Sequence, residues 1–544
     1  MKHPFFHLPL FLIPLAAVSS TLTLISPEDH LIGPSGTERK ISISILNTDG
    51  PAQGGELRGL LRPYEDNGTL SPDIVATFTA PVAPASAANG TQTAGVLTVS
   101  LPTPGLYQLD IRHHDHTGRQ IGGYLTTLAS IPERNGPNPD DWGVCTHFAH
   151  GKGTLPRSLE LVQLAGFSRI RDEVYWQHVE QTPGKFEFPP YADAWIHTAR
   201  ELGLSPLIIL AYGNARAWPD EFAGNNGFPA NDKARALFVR YVREMVTRYQ
   251  GVVKHWEVWN EPHSWGKASP EIYTPLLKEV YPAIKAIDPT ATVISCGGGG
   301  AGGGPGGDYI SGVLKHGGLD YQDAFSVHPY MSPYDPETGY GAQGAPIPRV
   351  NVPAVWSHLR QFSERNPRSD QKRLEVWTTE IGWPSHLTRH PPAGEVVQAA
   401  FLTRTLLLSR RHPAMKAVFI YDFQDDGNNP LNQEHNFGLI TTEYAPKPSW
   451  VSIATLAGVL GNRPWVRSLV ENAQVHVHQY GQLPDGVIAA WAVGFETQTV
   501  TLALPPGTYV RRDWQGRGTP VIVGHTGQLE LEVSPLPVYL IPQP

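Results

Sequence analysis

Short apolar segments alternate with longer amphipathic ones between residues 142 and 423, and this alternation limits the possible folds more than any other feature of the chain. Amphipathic segments with helical spacing, such as 232–251, fill the intervals. A helix between two strands returns the chain to the same edge, so the strands run parallel. The eight candidate strands are 142–148, 167–176, 206–213, 253–262, 292–298, 324–330, 374–383 and 417–423.

Eight regular strand and helix units predict an α/β fold of the (β/α)8 TIM-barrel type. A doubly wound open sheet is the structural alternative, but it rarely extends to eight regular units. The first candidate strand is not followed by the GxGxxG pattern that opens a dinucleotide-binding sheet of that kind. The barrel is therefore the predicted fold.

The 544 residues exceed what one hydrophobic core usually serves, and the pattern on either side of the barrel is different. Short alternating runs separated by turn residues occupy 26–131 and return in 462–544, which is typical of antiparallel β modules. We therefore predict an N-terminal β-sandwich (26–131), a catalytic barrel (140–460) and a small C-terminal β-sandwich (462–544).

The N-terminal segment has the pattern of a secretory signal peptide. Lys2 precedes an apolar run from about Leu8 to Val18, and small residues follow. A buried first strand and an uncleaved anchor are the alternatives, but the run is shorter than the roughly 20 residues that a membrane-spanning helix needs. We predict a cleaved signal peptide (1–20), a secreted or periplasmic protein, and no membrane span in the mature chain.

The composition limits which partners and cofactors the protein is expected to bind. The formal net charge of -8 offers no basic surface for nucleic acid, so a neutral substrate is a better match. The two cysteines, Cys145 and Cys296, end the first and fifth candidate strands and would lie on opposite sides of a barrel, which predicts two buried free thiols. No zinc-ligand spacing is present. We expect no metal and no organic cofactor, and the sequence names no protein partner.

The carboxyl ends of the barrel strands carry the candidate chemistry, because reactive groups collect at that face. The fourth strand ends in Trp-Asn-Glu-Pro at Asn260 and Glu261, and the seventh ends in Thr-Thr-Glu-Ile at Glu380. Carboxylates on these two strands can face each other across the barrel axis. Hydrolysis of a glycosidic bond needs such a pair, one to protonate the leaving oxygen and one to attack or stabilise the anomeric carbon.

Two motifs resemble those of a known enzyme group. HWEVWNEP (255–262) and VWTTEIGWPS (376–385) are similar to the acid/base and nucleophile strands of clan A retaining glycoside hydrolases. The resemblance implies that Glu261 is the acid/base, Glu380 the nucleophile, and Asn260 the residue that holds the sugar 2-hydroxyl. Further positions matching the clan and implied to bind substrate are Arg171 on the second strand and His328 and Tyr330 on the sixth.

Within the clan, FIYDFQDDGNNP (419–430), EHNFGLI (434–440) and APKPSW (445–450) resemble the bacterial branch related to glycoside hydrolase family 39. The resemblance covers about residues 140–460. Many clan members have a tryptophan at the end of the eighth strand, whereas this chain has Tyr421-Asp422-Phe423. Asp422 is a substrate-binding candidate at this position.

The physical roles predict charge states. Glu261 has to be protonated to act as an acid, so apolar walls and the Glu380 charge are expected to raise its pKa. Glu380 has to be ionised, and Arg171 and the Tyr330 hydroxyl would favour that form. Tryptophan rings that could stack on sugar faces, in or near the predicted mouth loops, are Trp176, Trp218, Trp265 and Trp383.

The sequence therefore predicts a retaining glycoside hydrolase that cleaves β-glycosidic bonds in a polysaccharide or oligosaccharide, with endo attack favoured by aromatics on several loops. Two alternatives stay open. One is a non-catalytic carbohydrate-binding protein on a barrel that has lost activity, and the other is a transglycosidase that uses the same covalent intermediate.

Overall fold

A computed structural model describes residues 20–47, 54–83, 92–101, 103–132, 134, 136–223, 227–297, 307–339, 350–387 and 394–543. The chain forms two compact units, one of residues up to 65 with 69–130, the other of 66–68 with 131–544. The predicted signal peptide lies outside the described residues except for its last position, Ser20, which begins the first strand.

The first unit consists of two antiparallel sheets. Fully buried positions alternate with half-buried ones along a strand such as Gly105–His114, because one face of each sheet packs inward. The sheets have the strand orders β1-β3-β6 and β2-β8-β7-β4-β5, which confirms the predicted N-terminal β-sandwich. Its strands are β1 (Ser20–Ile25), β2 (Ile32–Pro34), β3 (Glu38–Asn47), β4 (Gly55–Pro63), β5 (Ala76–Val82), β6 (Gln92–Ser100), β7 (Gly105–His114) and β8 (Gln120–Ile131).

The second unit begins with a closed barrel of eight parallel strands, as predicted. Each strand pairs with its neighbours in the chain, and the eighth pairs with the first. Most of the strands are short and largely apolar because both of their faces are covered, whereas the second and the seventh carry charged side chains. The eight strands are β9 (Trp142–Cys145), β10 (Arg169–Glu173), β11 (Ser205–Leu210), β12 (His255–Val258), β13 (Thr292–Ser295), β14 (Ala324–Val327), β15 (Glu375–Ile381) and β16 (Met415–Ile420).

Helices surround the barrel strands. Side-chain caps begin several of them, and the Asn231 side chain accepts a hydrogen bond from the Ala234 amide at 2.9 Å at the start of α5. The α-helices are α1 (Arg157–Ala165), α2 (Trp176–Val179), α3 (Pro190–Glu201), α4 (Pro219–Phe222), α5 (Asp232–Arg248), α6 (Pro270–Ile287), α7 (Gly307–Lys315), α8 (Val352–Arg365), α9 (Glu395–Ser409) and α10 (Pro448–Leu460).

A C-terminal β-sandwich completes the second unit. Its sheets have the strand orders β17-β18-β19-β24-β21-β22 and β20-β23 and enclose a small apolar core. Helix α9 is buried almost all round, and the Tyr480 hydroxyl on β18 donates to the Leu407 carbonyl at 2.9 Å. The strands are β17 (Trp465–Glu471), β18 (Val475–Tyr480), β19 (Val487–Ala492), β20 (Gln498–Ala503), β21 (Gly507–Arg512), β22 (Gly518–Val523), β23 (Gln528–Val533) and β24 (Val538–Pro542).

Two further expectations concern single features. Cys145 and Cys296 are buried free thiols, as predicted. None of the helices in the described part of the chain combines the length and apolar content needed to cross a membrane.

Candidate active site

A cavity of about 510 Å³ opens at the carboxyl ends of the barrel strands. This is the face at which barrel enzymes carry their reactive groups. The cavity brings together side chains that are far apart in sequence. Those predicted from the sequence that line it are Arg171, Asn260, Glu261, Tyr330, Glu380, Trp265 and Trp383.

Glu380 lies near the end of β15 and receives two hydrogen bonds. The Arg171 Nη1 atom donates to its Oε1 at 2.7 Å, and the Tyr330 hydroxyl donates to its Oε2 at 2.8 Å. Only 11% of the side chain is exposed. Two donors, one on each oxygen, fix the orientation of this mostly buried carboxylate.

Arg171 joins three acceptors with one planar guanidinium group. Besides Glu380, it donates through Nε to Glu257 Oε2 at 2.7 Å and through Nη2 to Asn260 Oδ1 at 2.9 Å. Burial lowers the pKa of this group, but Glu257 and Glu380 raise it well above its ordinary value. Arg171 therefore holds the nucleophile candidate and the sugar-binding candidate in one rigid frame.

Glu257 is a member of this frame that the sequence interpretation missed. It is fully buried on β12, and its Oε1 atom accepts hydrogen bonds from Ser326 at 2.6 Å and Thr379 at 2.8 Å. A carboxylate in the middle of a four-residue apolar strand was the available signal, because buried charges are paired. The Glu257 side chain belongs to the same cluster as that of Glu261, which lies four residues later in the sequence.

Glu261 follows β12 in a strained turn. Its φ of 42° lies in the left-handed region, and its amide donates to the Gly297 carbonyl at 2.6 Å. Position 297 needs glycine, because a Cβ there would lie 2.6 Å from the Trp259 carbonyl oxygen. The sequence of two different loops therefore fixes where the Glu261 carboxyl points.

His328 stands between the two glutamates. Its Nδ1 atom is 3.0 Å from Glu261 Oε1 and 3.4 Å from Glu380 Oε2, and its Nε2 atom is 3.0 Å from the Thr379 hydroxyl. One carboxylate oxygen of Glu261 and one of Glu380 lie within 4.8 Å of each other. A single imidazole nitrogen thus lies close to both carboxylates.

The charge state expected for Glu261 needs a correction. Burial raises its pKa, as expected, but the hydrogen bond and charge of His328 outweigh burial and bring the pKa below its ordinary value. The sequence argument considered apolar walls and the Glu380 charge but not an imidazole 3.0 Å away. His328 is therefore the neighbour that most lowers the pKa of the Glu261 carboxyl.

A second polar wall of the cavity was not predicted. The Glu173 Oε1 atom is 2.8 Å from His150 Nε2 and accepts from the Tyr175 hydroxyl at 3.1 Å, and the His150 ring stacks on His147 at 4.7 Å. Burial raises the pKa of Glu173, but the hydrogen bond with His150 and the charges of neighbouring groups lower it below the ordinary value. Glu173 is thus an ionised acceptor that a sugar hydroxyl can reach.

The four candidate tryptophans fall in different environments. Trp265 lines the cavity and is 56% exposed, whereas Trp383 lines it at 3% exposure and donates from Nε1 to the Tyr334 carbonyl at 2.8 Å. Trp218 does not line the cavity.

Trp176 has no exposed surface, so its predicted substrate-binding role does not agree with the structure. Its ring packs between the barrel and its helices, stacked on Tyr241 at 5.4 Å. The Nε1 atom donates to Glu180 at 2.8 Å. An apolar ring that follows a strand end can face the helix layer instead of the mouth, and Trp176 does so.

Asp422 also lies elsewhere than predicted. It is 2% exposed and does not line the cavity. Its Oδ2 atom is 3.3 Å from His147 Nδ1 and 3.6 Å from Lys152 Nζ. Burial lowers the pKa of His147, but the hydrogen bond with Asp422 raises it above the ordinary value. Asp422 therefore positions His147, which does line the cavity.

The same group is the best-arranged candidate for a cation away from the two glutamates. His147, Asp422 and Asp426 each offer an atom within 4.8 Å of the others. The Lys152 ammonium contacts Asp426 and is 3.0 Å from His147 Nδ1. The Lys152 side chain therefore already supplies a positive charge to this cluster.

Comparison with known proteins bears on the class of enzyme. No protein-family model and no curated protein matches the sequence. Among solved structures, a family 39 glycoside hydrolase from the gut symbiont Bacteroides cellulosilyticus WH2 is similar at 36% identity and a TM-score of 0.80 over 96% of this chain and 100% of that one. A GH30 endoxylanase from Clostridium papyrosolvens C71 (12% identity, TM-score 0.52, 76% and 98% covered) shares the fold, as does a glucosidase from Croceicoccus marinus (14%, 0.50, 75% and 96%).

A parallel barrel with two glutamates facing across its mouth, together with these neighbours, defines the protein as a glycoside hydrolase. The match at 36% identity over nearly the whole of both chains is more specific than the shared fold. The chain belongs to glycoside hydrolase family 39.

Proposed function

We propose that the protein hydrolyses β-glycosidic bonds in a polysaccharide or oligosaccharide with retention of configuration, with Glu380 as nucleophile and Glu261 as acid/base. The observation that supports this most directly is the carboxylate spacing, with oxygens of the two glutamates within 4.8 Å. Retaining enzymes have carboxyl groups about 5 to 5.5 Å apart, whereas inverting enzymes need about 6.5 to 9.5 Å to admit a water molecule.

In the first half-reaction, a Glu380 oxygen attacks the anomeric carbon as the bond to the leaving oxygen breaks. That oxygen takes a proton from Glu261, and a covalent glycosyl-enzyme forms. Attack neutralises the Glu380 charge. In the second half-reaction Glu261 accepts a proton from water, whose oxygen displaces Glu380, and the sugar leaves with its original configuration.

His328 supports the role of Glu261 as both acid and base. Its Nδ1 atom lies 3.0 Å from Glu261 Oε1, close enough to hydrogen-bond to that carboxyl while Glu261 gives a proton to the glycosidic oxygen and later takes one from water. The hydrogen bonds from Arg171 and Tyr330 would hold the Glu380 carboxylate in place for its attack. Asn260, held by Arg171, is available to the sugar 2-hydroxyl.

Two finer points belong to this proposal. Endo attack is supported by Trp265 and Trp383, which line the cavity from loops after different strands. A product mixture that contains only monosaccharide would contradict it.

Export is supported by the signal-like segment 1–20, and N-terminal sequencing of protein from the medium or periplasm should find a mature chain that begins near residue 21.

The catalytic assignment is tested with glutamine variants on a panel of β-glucans, xylans, mannans and bacterial exopolysaccharides. Glu380→Gln and Glu261→Gln should each lower kcat at least about 100-fold on the substrate that the wild type cleaves. Azide should restore turnover to Glu261→Gln on an aryl glycoside with a good leaving group, because that substrate needs no acid and azide needs no base.

Glu244→Gln, on the outer face of α5, is the matched control and should retain wild-type turnover. Wild-type activity in either active-site variant would contradict the assignment. Binding of a glycan without any release of product by the wild type would support the carbohydrate-binding alternative.

A further inference from the structure

We propose that Trp265 is the platform that binds the sugar on the leaving-group side of the bond to be cleaved. The inference rests on the proposed function, because it takes Glu261 as the acid. It goes further by naming the ligand of one surface of the cavity. That ligand is a neutral sugar unit, a pyranose or furanose, with an apolar C–H face.

The exposed indole is the first observation. Trp265 lines the cavity with 56% of its surface exposed, while ten other tryptophans are less than 2% exposed. Within the described part of the chain, no aromatic ring packs against it. An indole left open beside charged groups presents a large apolar face that water solvates poorly, and a bound ligand would cover it.

The second observation is that the platform is fixed relative to the acid. The amides of Ser264 and Trp265 both donate to the Glu261 carbonyl at 2.9 Å, which closes a tight turn. The Ala268 amide donates to the Pro262 carbonyl at 2.8 Å, and the Tyr309 hydroxyl donates to the Ala268 carbonyl at 3.0 Å. The ring therefore stands on the same rigid turn as the carboxyl that donates the proton.

The exposed fractions of three side chains indicate how the substrate runs from the deep end of the cavity to its opening. The Glu380 side chain is 11% exposed, that of Glu261 is 21% exposed, and Trp265 is 56% exposed. The sugar that becomes attached to Glu380 must lie at the deep end, beside Arg171 and Tyr330. The acid contacts the oxygen on the other side of the anomeric carbon, so the leaving sugar lies outward, towards Trp265.

The chemistry of the ring matches this position. The axial hydrogens of a neutral β-linked sugar form an apolar face that can pack on an indole and remove both from water. Such contacts depend on shape more than on individual hydroxyls. Trp265 would therefore bind leaving groups of several sugar types and would also bind acceptor sugars that compete with water for the glycosyl-enzyme.

The test compares two substrates that share the deep sugar and differ in the leaving group. One is the oligosaccharide that the wild type cleaves, and the other is the β-glycosyl fluoride of the same sugar, whose leaving group has no ring to stack. Trp265→Ala should raise KM for the oligosaccharide at least about tenfold, as expected for loss of a buried tryptophan contact. Its kcat/KM on the fluoride should stay within about twofold, and Trp265→Phe should restore part of the loss.

A second measurement is independent of how much of the variant folds. With the fluoride as donor and a free sugar as acceptor, the ratio of transfer product to hydrolysis product should fall at least about fivefold in Trp265→Ala. Ile522→Ala, an exposed apolar residue on β22, is the control and should leave the ratio unchanged.

Equal losses on the two substrates, or an unchanged transfer ratio, would overturn the platform assignment while leaving the proposed function intact. If the wild type instead binds oligosaccharides of the panel but cleaves none of them, nor any of the corresponding glycosyl fluorides, the proposed function itself is contradicted.

Discussion

At the scale of single residues, the site depends on Arg171 more than on any other positioning group. One guanidinium contacts two carboxylates and one amide at 2.7 to 2.9 Å, and it is 3% exposed. A lysine could not reproduce this fork, because its ammonium is a point charge on a flexible stem. Removing Arg171 would leave the Glu257 and Glu380 carboxylates buried without the cation that pairs with both.

We therefore expect Arg171→Met to lower the free energy of unfolding by about 3 to 5 kcal/mol, as breaking a buried ion pair does. Thermal unfolding of the purified variant measures the loss. Arg360→Met is the matched control, because Arg360 forms an exposed pair with Glu364 at 3.2 Å and should cost less than about 1 kcal/mol. Equal unfolding temperatures for the two variants would contradict a stabilising role of Arg171.

At the scale of elements, buried polar contacts hold the loop that follows β16 in place. The Asp425 carboxylate accepts from the Lys447 ammonium at 2.6 Å and from the Gly438 amide at 2.8 Å, and all three groups are buried. The same loop carries Phe437, which lines the cavity. The ion pair therefore holds in place the loop that supplies Phe437 to one wall of the cavity.

This loop predicts a dependence of stability on pH. Burial raises the pKa of Asp425 to about 7, although Lys447 lowers it. Because the folded pKa exceeds the unfolded value, the folded state binds more protons between about pH 4 and 7, and stability falls as pH rises through that range. Relative to Asp425→Asn, the wild type should lose at most about 1.4 kcal/mol per pH unit there. Thermal unfolding at several pH values measures this, and a constant difference between the two proteins would contradict it.

The elements also show how far sequence reasoning extends. All eight barrel strands were predicted because apolar runs with helices between them leave few other folds, and their carboxyl ends indicated Glu261 and Glu380. Residues whose direction depends on tertiary packing were harder to predict. Trp176 faces the helices and Asp422 faces His147, since neither periodicity nor position after a strand determines which side of the mouth a side chain takes.

The same reason explains the incorrect pKa expectation for Glu261 and the absence of Glu173 from the predicted site. His328 was placed correctly at the end of the sixth strand, but its 3.0 Å contact with Glu261 exists only once two strands are brought together. Glu173 lies in RIRDE on β10, two residues after Arg171 and so on the same face of the strand, but its contacts with His150 and Tyr175 exist only once the loops at the mouth are in place.

At the scale of the whole molecule, charge bears on substrate choice. The chain has a net charge of -8, and among the described residues four glutamates line the cavity, including Glu173 and Glu434. Arg171, which lines the same described part of the cavity, already contacts two carboxylates. Burial and the charges of Asp422 and Glu380 raise the pKa of Glu434, as expected where negative charges are crowded. A negative cavity repels anionic sugars.

We expect a neutral 4-nitrophenyl β-glycoside to be cleaved at least about 100-fold more efficiently than its 6-carboxylate counterpart. The preference should weaken in Glu434→Gln, and it should also weaken at high salt, where screening shortens the reach of the charges. Comparison of kcat/KM for the two substrates gives the result. Equal or better cleavage of the uronide would contradict the electrostatic argument.

The central claim is a double displacement at Glu380, and the anomeric configuration of the first product tests it most directly. Proton NMR of a β-linked substrate at the start of the reaction should show newly released ends in the β configuration, which then mutarotate, and Glu380→Gln should release none at a comparable rate. Initial release of the α anomer by the wild type would mean direct attack by water and would contradict the assignment of Glu380 as the nucleophile.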